Sequence, residues 1–220
     1  SEASQITDWV MENITGSKKA ERMLYKNTAV TANEETRVKA YAGRLLQNEP
    51  VQYVLNESWF CGYKFYVDKN VLIPRPETEE LVEWIISDYK LHEGELKILD
   101  IGSGSGCIPI SLKRKMRKTE IWSCDIGEDA IAVARKNAMA HGVEVKFIQL
   151  DFLDKEQWKK LPSFDIIVSN PPYIPEKDKG AMQPNVLNYE PGSALFVPDN
   201  DSLVFYKAIA EFGKQHLNKG

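Results

Sequence analysis

Cysteine and histidine are scarce in this chain, at three residues each in 220. Cys61, Cys107 and Cys124 are odd in number and widely spaced, which excludes a closed disulfide framework or a zinc-binding spacing and fits reduced cytosolic thiols. His92, His141 and His216 stand alone in sequence and read as surface residues, so no metal site is expected. No apolar run approaches the roughly 20 residues of a membrane span. The opening stretch SEASQITDWVMENITG is mixed and polar, unlike a secretory leader. Positive charge is not in excess either: 28 Lys and Arg face 32 Asp and Glu, so a global nucleic-acid footprint is excluded and only a local patch is left open. Internal repeats and low-complexity tracts are also missing. These absences lead us to expect a cytoplasmic protein with no membrane partner.

What is present is an ordinary globular composition, with enough length for one large domain and a small cap. Ser4–Ile14 and Lys18–Lys26 carry weak helical patterns. Thr31 and Glu34 form a capping-box signature ahead of Val38, Tyr41, Ala42, Leu45 and Leu46, which recur at helical spacing. Trp9 and Trp84 are expected to pack between helices. Ser58–Val67 is rich in β-formers, and with DKN and VLIP after it the segment reads as a hairpin. PRPETEELVEWII then places prolines and acids where a helix should start.

From Leu96 onward strands and helices alternate: strands at Lys97–Ile101, Ile121–Cys124, Val145–Leu150 and Asp165–Ser169, helices at Cys107–Met116 and Asp129–Ala140. Such alternation implies an α/β fold with a parallel sheet and right-handed crossovers. We expect a helical domain over 1–55, a hairpin linker over 56–76 and an α/β domain over 77–220. Ser202–Leu217 reads as a further amphipathic helix, and a helix in this setting is normally followed by another strand. The expectation is therefore that the chain is C-terminally truncated.

ILDIGSGSGC runs from a strand into a helix through Gly102, Ser103, Gly104, Ser105 and Gly106. Glycines there let the backbone turn tightly and let a ligand lie against it. The spacing G-x-G-x-G departs from the dinucleotide fingerprint G-x-G-x-x-G, which weakens a nicotinamide reading. Asp125 ends the next strand, 23 residues past Gly102. A carboxylate at about that distance can accept from both ribose hydroxyls. Asp151 and Phe152 close the third strand; the acid can reach an adenine amino group or a neighbouring loop, and the ring is either an adenine platform or core.

Ile166, Ile167 and Val168 suit a strand covered on both faces, and that strand must stop at Asn170, because Pro171 and Pro172 cannot continue a ladder. A residue before proline is confined to extended geometry, so the Asn170 and Pro171 carbonyls are preset. Together with Tyr173 they could hold a planar NH2 group by its N–H bonds; the plainer reading is a rigid strand-ending turn. Pro74–Glu77 either lines a ligand's end or only fixes the hairpin-to-helix angle.

Taken together, EPVQYVLNESWFCGYKFYVDKNVLIPRPETEELVE, ILDIGSGSGCIPISL, CDIGEDAIAVARKNA and IIVSNPPYI resemble the protein-(glutamine-N5) methyltransferases that modify peptide chain release factors, within the class I S-adenosylmethionine methyltransferases. Asn56 departs from the pattern, standing where a glycine is expected. The resemblance implies a Rossmann-like class I methyltransferase sheet behind a substrate-docking helical domain. It implies S-adenosylmethionine as cofactor and S-adenosylhomocysteine as product, held by Gly102, Ser103, Gly104, Ser105, Gly106, Asp125, Phe152 and Asn170. It assigns the acceptor amide to Asn170, Pro171, Pro172 and Tyr173, and the glutamine of a Gly-Gly-Gln motif as target. The expected partner is a release factor, met by a monomer without stable nucleic acid. An N6-adenine nucleic-acid methyltransferase is the rival, since NPPY occurs there too.

Overall fold

The computed structural model describes residues 2–25 and 27–218. Helices α1 (Glu2–Thr15), α2 (Lys19–Leu24), α3 (Ala32–Leu46) and α4 (Val51–Leu55) open the chain. Lys26, where the second helix was expected to end, lies outside the described residues, as do residues 1, 219 and 220. The capping box is formed: Thr31 Oγ1 accepts from the Glu34 N–H at 3.2 Å, and Glu34 accepts from the Thr31 N–H at 2.7 Å. Val10, Ile14, Val51, Val54 and Leu55 make this unit's own small core. Trp9 and Trp84, expected between helices, are 43% and 66% exposed instead.

Asn56 ends α4 in the left-handed region at φ 54° and donates from Nδ2 to the Val67 carbonyl at 3.0 Å. Asparagine tolerates that conformation better than other side-chain-bearing residues, which explains how it replaces the expected glycine. Strands β1 (Ser58–Phe60) and β2 (Tyr63–Phe65) then pair antiparallel. The hairpin turn is Cys61–Gly62, not the DKN segment, which corrects the expectation. Both residues have positive φ, 50° and 77°, as a two-residue primed turn requires. Asp68–Val71 forms a separate turn, and the chain after it runs without strand pairing into α5 (Pro76–Asp88), with Pro76 at its first position.

The main sheet has four parallel strands in the order β5 (Lys146–Gln149), β4 (Glu120–Asp125), β3 (Lys97–Ile101), β6 (Ile166–Ser169), with α6 (Cys107–Lys115) and α7 (Glu128–Ala140) as crossovers. This is the α/β architecture expected from the alternation. Pleating sorts β3 cleanly: Ile98 joins a core with Phe60, Phe65, Val82 and Leu112, while Leu99 and Ile101 join Phe152, Trp158, Phe164 and Phe212 on the other face. Beyond β6 the chain makes a two-stranded pair, β7 (Ile174–Pro175) and β8 (Phe196–Val197), around helix α8 (Pro184–Tyr189). Helix α9 (Val204–His216) packs Phe212 into the second core, after which Leu217 bridges to Phe164 in parallel. Of the three histidines expected at the surface, His92 is exposed, while His141 and His216 are half-buried against aromatic rings. His141 lies 4.9 Å from the Phe65 ring, and His216 stacks on Phe212 at 4.2 Å.

Candidate active site

Because β3, β4 and β6 are parallel and in register at Ile101, Cys124 and Ser169, their carboxyl ends deliver the glycine loop, Asp125 and Asn170 to one edge of the sheet. Ligands of open α/β sheets bind at that edge.

The glycine loop divides its labour. A Cβ on Gly104 would meet nothing within 4 Å, and its φ of +50° disfavours any side chain, so the backbone there stands open to a cleft. A Cβ on Gly106 would strike Ile110 at 2.9 Å and Ala134 at 3.2 Å; this glycine lets α6 and α7 close on each other. Asp125 Oδ2 accepts from the Gly104 N–H and Oδ1 from the Gly127 N–H, both at 2.9 Å. Each oxygen retains a lone pair for a hydroxyl donor. Ser103 and Ser105 are buried: the Ser103 hydroxyl is spent on Ser123, and both line the cleft through the loop.

Three cavities meet along this edge. The first, about 90 Å³, is lined by the loop, Asp125, Asn170, Arg75 and Thr78. A second, about 310 Å³, continues past Asp125 and is walled by Ile126, Asp151, Phe152, Leu153, Pro172 and Phe205. Its lining is mostly apolar with two carboxylates, Asp125 at the near end and Asp151 beyond it, which suits a heterocycle bearing an amino group. Phe152 is only 4% exposed and packs against Trp158 and Phe212, so its ring belongs mainly to the core. Ile126, at 59% exposed, offers more accessible apolar surface beside Asp125, and nothing in its sequence pattern marked it. The third cavity, about 170 Å³, holds Arg75, Asn170, Pro171 and Tyr173.

The four residues of NPPY are thereby divided. Asn170 lines the first and third cavities, Pro171 the second and third, Pro172 only the second and Tyr173 only the third. Asn170 Nδ2 donates to Thr78 Oγ1 at 3.2 Å, which turns its carbonyl oxygen away from Thr78. No side chain or loop N–H of the described residues donates to the Pro171 carbonyl. Tyr173 is 57% exposed at the mouth.

Two supports were not legible beforehand. Asn137, buried on α7, donates to Ser105 O at 2.8 Å and Tyr66 O at 2.9 Å and accepts from Tyr66 N at 2.8 Å. One side chain thus ties the glycine loop to the linker. Asp100, fully buried under the loop, accepts from Ser123 at 2.6 Å, while its other oxygen has no partner. Burial pushes its carboxyl up to about 8, the Ser123 bond opposing and nearby Asp125 adding to the shift. Burial likewise raises the Cys107 thiol to about 12 and Cys61 to about 11, so neither is a thiolate nucleophile near neutrality. Among the described residues no cluster of His, Cys, Asp or Glu is placed to hold a metal, and no helix is long and apolar enough to cross a membrane.

Comparison with known proteins places this arrangement. Residues 1–55 match the PrmC N-terminal domain, and residues 81–188 match the Methyltransferase small domain. The chain is 49% identical over 177 residues to the release factor glutamine methyltransferase of Flavobacterium psychrophilum, covering 80% of this chain and 61% of that protein. It is 43% identical over 195 residues to that of Bacteroides thetaiotaomicron, covering 89% and 69%. With the protein of the same name from Lactococcus lactis it shares 40% over 210 residues, covering 96% and 75%. The chain thus spans about 61–75% of these relatives' lengths. Among solved structures, the catalytic domain of human Mettl16 superposes with a TM-score of 0.53 at 19% identity, covering 69% of this chain and 56% of that one; it speaks for the fold alone. With a helical domain and a methyltransferase domain both matched, and relatives this similar over most of their length, the chain belongs to the release factor glutamine methyltransferase family.

Proposed function

We propose that this chain transfers a methyl group from S-adenosylmethionine to the side-chain amide nitrogen, N5, of the glutamine in the Gly-Gly-Gln motif of a peptide chain release factor, in the cytoplasm, leaving S-adenosylhomocysteine. The observation that carries the reading is a shared wall: Asn170 lines one cavity with Gly102–Ser105 and the next with Tyr173. A cofactor cleft and an acceptor cleft therefore adjoin at the residue suited to hold an NH2 group.

The residues present fit this cofactor. Gly102 and Gly104 leave open space for close approach, Asp125 has lone pairs for two ribose hydroxyls, and Asp151 lies in the cavity that suits the base, with Ile126 and Phe152 on its walls. When bound, the cofactor supplies an electrophilic methyl on a sulfonium. The protein's task is the acceptor. A glutamine amide nitrogen is a poor nucleophile, because its lone pair is delocalised into the carbonyl. In this reading the Asn170 side-chain oxygen and the Pro171 carbonyl accept its two N–H bonds, orient the nitrogen and favour its pyramidal form; in support, both residues line the cavity that holds Tyr173. Preset dipoles need no reorganisation as charge develops, and positioning supplies the rest of the rate. No strong base is required, since the proton can leave after the methyl arrives.

A protein acceptor is favoured over a nucleic acid by the groove that leads in. A cleft of about 830 Å³ runs between α1, the end of α3 and α8, past exposed Leu46 and Trp9. Among the described residues its lining has Glu2, Glu49 and Glu190 with one cation, Arg75; Glu49 is paired with Arg44 and Glu190 with Arg75, so the lining carries no basic excess. DNA binding draws most of its affinity from phosphate neutralisation, which such a lining does not supply. The test is incubation with labelled S-adenosylmethionine and either purified release factor, its Gln→Ala variant at the Gly-Gly-Gln motif, or duplex DNA at physiological salt. Label is expected in the unmodified release factor alone; N6-methyladenine with an unlabelled release factor would reverse the assignment.

A further inference from the structure

Glu190 belongs to none of the loops above, yet its side chain is only 1% exposed. It stands just after α8 and before Pro191. Its Oε2 accepts from the Ile73 N–H at 3.2 Å, and its Oε1 accepts from Arg75 Nη2 at 2.7 Å. One carboxylate therefore joins the segment that follows NPPY to the linker that precedes α5, across more than a hundred residues of chain.

Stability alone is a poor reason for such a pair, because desolvating two charges offsets much of their attraction. Location supplies a better one. The cofactor and acceptor cavities share four wall residues: Leu72, Arg75, Asn170 and Ala194. Leu72 and Arg75 come from the linker, while Asn170 and Ala194 come from β6's end and the acceptor segment. The two halves of that common wall are held by separate stretches of chain, and Glu190 fastens one to the other at Ile73 and Arg75.

We propose that Glu190 is a positioning residue for methyl transfer: through the Ile73 N–H and the Arg75 guanidinium it sets the gap between the acceptor segment and the glycine loop. This rests on the function proposed above. No bond forms or breaks at Glu190, and its contribution is geometric; a 1 Å misplacement of reacting groups can cost about 10²-fold in rate.

The experiment is steady-state methylation of a release factor by the full chain, beside calorimetric affinity for S-adenosylmethionine, in wild type, Glu190→Gln and Glu190→Ala. Glutamine keeps the length and one acceptor oxygen but replaces the other with an NH2 that cannot accept, so it holds only one of the two N–H groups, whereas alanine holds neither. Expected are a kcat loss of about 100-fold in Glu190→Ala and about tenfold or less in Glu190→Gln, by the positioning range above, with cofactor affinity within about threefold of wild type. Since the alanine variant can fail to fold, a second pair decides the matter independently: Arg75→Gln should lower kcat, and adding Glu190→Gln to it should cost little more. Wild-type kcat in both Glu190→Gln and Arg75→Gln overturns the proposal, as does a loss confined to melting temperature or to cofactor affinity. If wild type fails on the release factor but methylates the DNA, the substrate reading falls, and the same variants are scored on the DNA.

Discussion

The side-chain amide of Asn170 donates to the Thr78 hydroxyl across 3.2 Å, a bond between the end of β6 and the first turn of α5. It fixes which end of that amide faces the cleft. Thr78→Val keeps the shape and removes the acceptor, so Asn170 is free to rotate. We expect turnover to fall by roughly 10–10²-fold with cofactor affinity unchanged, and Asn170→Ala to lose about 10²–10³-fold, the range for removing one preorganised polar group. Single-turnover kinetics on a release factor, with calorimetry on the cofactor, measure both. Equal rates for Thr78→Val and wild type would remove Thr78 from the mechanism.

Asp125 holds the loop, its two oxygens accepting from Gly104 and Gly127 at 2.9 Å each, and in the proposed function it also takes the cofactor's ribose. Asp125→Ala should weaken S-adenosylmethionine by about 1.5–3 kcal/mol, the range for hydrogen bonds to a charged group. Calorimetry on a folded variant decides it; unaltered affinity would show that the ribose is held elsewhere.

Asn137→Ala removes three hydrogen bonds at once and leaves Tyr66 and Ser105 backbone groups unsatisfied. A destabilisation of roughly 1–3 kcal/mol per abandoned buried group is the upper range, with solvent entry lowering it. Denaturant unfolding should show this variant as less stable, and cofactor affinity should fall with it because the glycine loop loses its tie. A variant as stable as wild type would mean the strut is dispensable.

Asp100 makes stability depend on pH. Its carboxyl is raised from 3.8 to about 8 by burial, so the folded state holds a proton that the unfolded state has released. That contribution is fully present below about pH 4 and is lost as pH rises through about 8. Asp100→Asn cannot titrate, and its melting temperature should fall less than that of wild type between pH 5 and pH 9. Parallel melting curves for the two proteins across that window would refute the assignment.

Local chemistry determined much of this protein. Strand and helix alternation, the glycine loop, Asp125 and the proline stop after Asn170 were all readable, because pleat period, helix caps, positive-φ preference and the missing proline N–H act over a few neighbouring residues. The domain matches and parallel sheet agree with that reading. What the sequence misplaced was also local in form but decided at a distance. The hairpin turned at Cys61–Gly62 because the chain after Asp68 was needed as the linker that packs Val67, Val71 and Ile73 against α7. Phe152, left open between adenine platform and core, packs mainly in a core shared with Phe212, 60 positions along the chain, while still lining the cavity with Asp151. The ties from Asn137 to Tyr66, from Asn170 to Thr78 and from Glu190 to Arg75 join residues 71, 92 and 115 apart. No periodicity announces such bonds. They exist because closing the sheet buries polar groups that must then find partners among whatever the fold has brought beside them.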